Sequence, residues 1–225
     1  MLRSNCEKLH RNLFPFWDLL EESEKELLCQ YSTETDYSKG ALIHGGGSEC
    51  TGTIVVESGC IRAYILSEEG REITLYRLYP GDICMLSASC VLQSITFDVY
   101  VDAEEDSRCC ITNGKVFAEI SQRNLMVKNF ALETAVKRFS DVMWVMQQIL
   151  FMSFDRRLAI FLWEESSKNG TDSVKLTQEQ IARYTGSARE VVSRMLKYFS
   201  SEGMVEVSRG GIKILDREKL RALAL

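Results

Sequence analysis

The sequence predicts an α+β chain in three parts: an N-terminal double-stranded β-helix (jelly roll), one long helix, and a C-terminal winged helix-turn-helix. Three observations carry that reading. Residues 32–110 are short apolar runs punctuated by glycines at 40, 45–47, 52, 59, 70 and 81, the texture of a sandwich or jelly roll. Val116 to Phe151 contains neither glycine nor proline and repeats apolar residues every seven positions, as a long helix with an apolar seam does. Around Gly186, two short amphipathic segments precede two alternating runs joined by Ser208, Arg209, Gly210 and Gly211, which reads as helix, tight turn, helix and hairpin. The expected boundaries are 1–115, 116–152 and 153–225.

The chain of 225 residues is 45% hydrophobic, enough to bury real cores. No stretch combines a basic start with an apolar core, and the longest uncharged run, Ile83 to Phe97, is interrupted by Ser, Thr and Gln. Neither a signal peptide nor a membrane span is expected, so the protein is placed in the cytoplasm, away from membranes. Its eight cysteines then read as reduced thiols rather than a disulfide frame. Charge is unevenly spread: residues 171–225 hold ten Lys and Arg against seven Asp and Glu, a net of +3, leaving −8 on the rest to give −5 overall. A basic C-terminal part suits nucleic acid, and an acidic remainder would face away from it.

In chain order, residues 8–31 form an amphipathic lead-in, with Phe14, Phe16, Trp17, Leu19, Leu20, Leu27 and Leu28 as its apolar side and Pro15 as an early break. The clearest strands are 52–56, 60–66, 72–78 and 96–101. Jelly-roll metalloenzymes need several histidines converging inside the barrel, and this chain has only His10 and His44, so a metal-centred enzyme is not expected. No nucleophile–base constellation, phosphate loop or carboxylate pair emerges either, and the chain is expected not to be an enzyme. On the long helix, Leu132, Phe139 and Met146 repeat every seven residues, and Ala135, Val142 and Ile149 follow three residues later. The further apolar side chains Val136, Met143 and Leu150 would also suit one helix buried against its own roll, but the a/d seam favours a homodimer, because a single small helix-turn-helix seldom binds DNA tightly alone.

In the C-terminal part, Thr177 is expected to cap the first short helix with Gln180 closing a capping box, and Ile181 and Ala182 to point inward. Ser187 is expected to start the second helix. On that helix Val192, Met195, Leu196 and Phe199 share one face, while Arg189, Glu190, Ser193, Arg194 and Lys197 share the other. The segment Gly186-Ser187-Ala188-Arg189-Glu190-Val191-Val192-Ser193-Arg194-Met195-Leu196 resembles the recognition element of the Crp/Fnr regulators. By that resemblance Arg189, Glu190, Ser193 and Arg194 read bases. Lys197, Thr177 and Ser187 complete the expected DNA-facing set. The Glu-x-x-Ser-Arg spacing resembles the oxygen-responsive branch, and Arg189 before the Glu resembles the cyclic-AMP branch. Both usually have a hydroxyl residue where this chain has Val191, which cannot bond a phosphate.

The resemblance extends into the roll through Lys39-Gly40, Glu57-Ser58-Gly59, Glu69-Gly70-Arg71-Glu72 and Pro80-Gly81-Asp82, and it implies a sensor with an effector pocket after Gly81. Here that segment supplies Cys84, Met85, Leu86, Ser87, Ser89 and Cys90, and no Lys or Arg lies between Arg77 and Arg108 to neutralise a buried phosphate. The family's iron–sulfur variant needs a tight N-terminal group of cysteines, and this chain has only Cys6 and Cys29 there. The effector is therefore left open, and no metal, iron–sulfur cluster or cyclic AMP is expected. The implied function is a sequence-specific transcription regulator that binds an inverted repeat of TTGA or TGTGA type under control of an unidentified small molecule, contacting RNA polymerase if it activates. The alternative from another class is a small-molecule-binding roll whose C-terminal module contacts protein.

Overall fold

The structure is a computed structural model that describes residues 2–46, 51–85 and 98–224, with side chains from Cys6 onward. It divides into two compact units, Met1–Leu66 with Leu75–Val142, and Ser67–Thr74 with Met143–Leu225.

The first unit begins with α1 (Leu2–Leu13) and α2 (Glu22–Gln30). Pro15 follows the end of α1, and Phe14, Phe16, Trp17, Leu20 and Leu28 are buried whereas Leu19 is exposed. The strands are β1 (Ser32–Tyr37), β2 (Leu42–Gly45), β3 (Thr53–Ser58), β4 (Ile61–Leu66), β5 (Glu72–Leu78), β6 (Ile83–Cys84), β7 (Tyr100–Ala103) and β8 (Ser107–Thr112). They form two four-stranded sheets, ordered β1-β8-β3-β6 and β2-β7-β4-β5. Successive residues of a strand point to opposite faces, and here both faces of the first sheet are covered. Ile54, Val56 and Cys109 enter a core with Ile61, Ala63, Leu75 and Val101 of the other sheet. Val55 and Cys110 point the other way, into a second core with Phe14 and Trp17 from the segment between α1 and α2 and with Phe117 and Val127. This explains why β3 reads as a continuous apolar run instead of an alternating one. Gly52 enters β3 at φ +110°, and a Cβ there would meet the Thr112 carbonyl oxygen at 2.1 Å; only glycine fits so close an approach.

The long helical stretch is two helices, α3 (Gly114–Arg123) and α4 (Leu125–Phe151), where the sequence predicted one. Asn124 makes the break. Its backbone is extended, at φ −114° and ψ 110°, and its Oδ1 accepts from the backbone N–H of Met126 at 3.0 Å, so it serves as a cap between the two. Arg138 holds α4 against the roll, donating to Asp141 at 3.0 Å and to Asp82 of the Pro-Gly-Asp turn at 3.2 Å, with its guanidinium 4.9 Å from the centre of the Tyr76 ring.

The second unit contains α5 (Phe154–Asn169), β9 (Ser173–Val174), α6 (Gln178–Thr185), α7 (Arg189–Ser201), β10 (Val205–Ser208), β11 (Gly211–Ile214) and α8 (Arg217–Ala224). Leu158, Leu162, Ile181, Val192, Leu196, Phe199, Val205, Ile212 and Leu220 form its core, so every one of the longer elements contributes a buried face. The wing is a three-stranded sheet, β10-β11-β9. Its hairpin pairs Ser208 with Gly211, leaving Arg209 and Gly210 as a two-residue loop.

Inside the roll, Arg62 is 1% exposed and grips Asp102 with two hydrogen bonds, Nε–Oδ1 at 3.0 Å and Nη2–Oδ2 at 2.6 Å, while lying 4.2 Å from the centre of the Tyr64 ring. Removing one partner of such a pair strands the other's charge without compensation. Arg62→Ala is expected to lower the stability of the roll by about 3–5 kcal/mol in urea unfolding; a loss under about 1 kcal/mol would show that Asp102 is satisfied by water.

Candidate functional site

The turn between α6 and α7 begins from a capping box. Gln180 N–H donates to Thr177 Oγ1 at 3.1 Å and Thr177 N–H to Gln180 Oε1 at 2.9 Å, as the spacing predicts. α6 ends at Gly186 in the left-handed conformation, φ 59° and ψ 43°, and Ser187 N–H closes the turn on the Ala182 carbonyl at 2.9 Å, a Schellman-type exit. The carbonyls left open at a helix end need partners, and two guanidinium groups supply them. Arg157 donates to Thr185 O at 2.8 Å and Arg71 to Gly186 O at 2.6 Å. Because Ser187 belongs to this turn, it does not cap α7 as expected. The N-cap is Ala188, without a side-chain bond.

On α7 the two faces separate. Val192, Leu196 and Phe199 are fully buried in the core. Arg189, Glu190, Arg194 and Lys197 are exposed, and Ser193 is partly so. Thr177 lies in a cleft of about 250 Å³ formed with Lys175, Gln178, Ser208, Arg209 and Gly210, where the N-terminus of α6 meets the wing. Ser187 and Arg189 line another of about 390 Å³ with Arg71, Arg183, Glu72 and Glu179, where both carboxylates pair with Arg183 at 3.6 Å. These donors, with the single carboxylate of Glu190 on the exposed face of α7, form a surface able to meet phosphates and base edges.

The expected effector segment is only partly described. Cys84 sits in the inter-sheet core and Met85 in the helix-side core, both wholly buried, so in this structure they pack the interior. Leu86, Ser87, Ser89 and Cys90 lie outside the described residues.

Along α4, Leu132, Phe139 and Met146 are exposed, Phe139 by 65%. Their expected companions are less so: Ala135, Val142 and Ile149 are intermediate, Val142 packs against the inter-sheet core, and Ile149 lies beside Gly186. Exposed next to the first row are instead Val136, Met143 and Leu150, so the exposed apolar stripe runs 132, 136, 139, 143, 146, 150 at alternating steps of four and three.

A further group of donors was not assembled from the sequence. Cys6 and His10 on α1 and Cys29 on α2 bring one ligand atom each within 4.8 Å of one another. Cys110 shares a cavity of about 560 Å³ with the two thiols. Burial pushes the Cys6 thiol far up and Cys110 up to about 12, and depresses His10, so without a bound cation the thiols stay protonated and the imidazole neutral at pH 7. The signal available in the sequence was the i, i+4 spacing of Cys6 and His10, which places both on one helix face.

Comparison with known proteins agrees in both halves. Residues 34–124 match the cyclic nucleotide-binding domain and residues 156–223 the Crp-like helix-turn-helix domain. A crystal structure from Eubacterium rectale, assigned to the Crp/Fnr family of transcriptional regulators, is 46% identical, covers 95% of this chain and 99% of its own, and superposes with a TM-score of 0.90. The fumarate and nitrate reduction regulatory protein of Vibrio cholerae is 26% identical over 91% of this chain and 84% of its own length. Electron transport regulator A of Shewanella oneidensis is 27% identical over 83% and 76%. These redox-named relatives and the Cys6–His10–Cys29 group together overturn the expectation that the chain holds no metal or iron–sulfur group. That expectation looked for cysteines close in sequence, whereas α1, α2 and β8 bring donors together in space.

Proposed function

Because the chain belongs to the Crp/Fnr family of transcriptional regulators and carries that family's helix-turn-helix DNA-binding domain, we propose that it acts in the cytoplasm as a homodimer on an inverted-repeat DNA site, with α7 as the reading helix. The observation that carries this is the exposed face of α7. Arg189 and Arg194 can donate bidentately to guanine, Glu190 can accept from a cytosine amino group, and Lys197 and Ser193 stand among them. Thr177 and Ser187, in the two flanking clefts, would add phosphate contacts that fix register. Val191 lies on the same helix without a hydroxyl, so phosphate anchoring falls to the flanking clefts and the wing, where Lys175 and Arg209 add charge.

The dimer reading rests on the α4 stripe. Contiguous apolar exposure of this kind marks an interface, and steps of four and three residues match the seam of a two-helix coiled coil. A twofold partner would cover Leu132, Phe139 and Met146 together with Val136, Met143 and Leu150. The regulatory input is a ligand or redox signal acting on the roll. The reading as a protein-contact module has less support, because the polar face of α7 is largely cationic and bidentate-capable.

Two outcomes are expected. Arg194→Ala should weaken binding to the cognate duplex by about 1–3 kcal/mol and relax selectivity at one base pair; in fluorescence anisotropy, an unchanged ratio of cognate to scrambled affinity would remove Arg194 from the readers. Met146→Glu should place a charge against its own copy and weaken the dimer by about 3 kcal/mol or more, with DNA affinity falling alongside. Sedimentation of that variant as an undisturbed dimer would move the interface off α4.

A further inference from the structure

The donor group on α1 and α2 has no part in reading DNA. His10 is wholly buried, its ring stacked on Phe14 and Trp17 at 5.2 and 5.3 Å between centroids, which fixes its orientation. Nδ1 lies 3.1 Å from Cys6 Sγ and 2.8 Å from the Cys6 carbonyl oxygen, and Nε2 faces Ser32 Oγ at 3.3 Å. Whichever nitrogen takes a metal, the other therefore keeps an outer hydrogen-bond partner, the arrangement that orients metal-bound histidines. Cys29 completes three donors within 4.8 Å. A tetrahedral ion with metal–sulfur bonds of ~2.3 Å holds its donors roughly 3.8 Å apart, so small side-chain rotations close the site.

A fourth thiol lines the same cavity, outside the group within 4.8 Å. β8 alternates, sending Cys109 into the inter-sheet core and Cys110 toward the helices, and Cys110 lines the cavity with Cys6 and Cys29. Glu26 and Glu34 line the same cavity; Glu34 is already paired with Arg108, and the field of Glu26 favours a cation.

We propose that Cys6, His10 and Cys29, with Cys110 as fourth donor, bind a single thiophilic divalent ion of the zinc class. Iron–sulfur clusters spread their thiolate or imidazole ligands over several irons; three donors within 4.8 Å of one another match one ion. On binding, the thiol protons leave to solvent and the thiolates bond the metal. The ion would staple α1 to α2 and to β8, closing the N-terminal helices onto the roll.

The probe is cobalt(II), added anaerobically to the reduced, metal-free full chain. The expected result is one cobalt per chain, with the intense visible bands of tetrahedral cobalt and a thiolate-to-cobalt charge-transfer band, both abolished by zinc. Cys29→Ser, a conservative change at a partly exposed position, should weaken cobalt binding by more than about 100-fold while leaving the circular dichroism and DNA affinity of the metal-free protein unchanged. His10→Gln is the second variant, with the same expected loss. Wild-type protein that develops no such bands, or Cys29→Ser protein that keeps them, overturns the site. Reconstitution with iron and sulfide that yields several irons and sulfides per chain on these residues overturns the single-ion assignment in favour of a cluster.

Discussion

The exit from α6 is the constraint on which the C-terminal unit depends. A left-handed residue at position 186 reverses the chain within one turn, and a side chain there would both strain the backbone and press on Ile149, whose Cδ1 stands 3.0 Å from where a Cβ would be. The two carbonyls this turn leaves open are held by Arg157 and Arg71, so the angle between α6 and α7 is fixed by a backbone conformation and two charge-assisted hydrogen bonds together. The direction of α7 follows from that angle. Once Val192, Leu196 and Phe199 are buried, Arg189, Glu190, Arg194 and Lys197 fall on the exposed side of the helix.

A comparable economy operates in the roll. The sheet β1-β8-β3-β6 is covered on both sides, and neighbouring residues serve two cores: Val55 and Val56 on β3, Cys109 and Cys110 on β8. The helix-side core includes Phe14 and Trp17 from the N-terminal lead-in and Val127 and Ala131 from α4. The donors on α1, α2 and β8 thus lie on the same packed layer as the first turns of the proposed dimer helix. That contiguity is a route along which a signal at the N-terminus could reach α4, given two alternative packings of the layer.

What the sequence made legible was local. The Thr177–Gln180 box, the glycine turn at 186, the two faces of α7 and the wing hairpin all depend on residues within a few positions of each other, where propensity and periodicity act directly. The strands β3, β4 and β5 were readable for the same reason. Features set by tertiary packing were not. Ser187 carries a good capping side chain, yet its backbone is already committed to closing α6. Asn124 interrupts an otherwise helical pattern by capping the next helix with its own side chain. Leu132, Phe139 and Met146 are exposed together with Val136, Met143 and Leu150, whereas Val142 also packs against the inter-sheet core and Ile149 lies beside Gly186, contacts that spacing alone does not reveal. Cys110 lies 81 positions from Cys29 in sequence, and only the alternation of β8 brings the two to one cavity.

The central claim, that two copies of α7 read a symmetric DNA site, is tested most directly by selecting duplexes bound by the full chain from a random pool and sequencing them. The expected result is enrichment of an inverted repeat with guanine in each half-site and half-site centres about 10–10.5 base pairs apart, or a whole multiple of that, as two reading helices on one dimer require. Enrichment of a lone, unpaired half-site, or of no sequence at all, would contradict it.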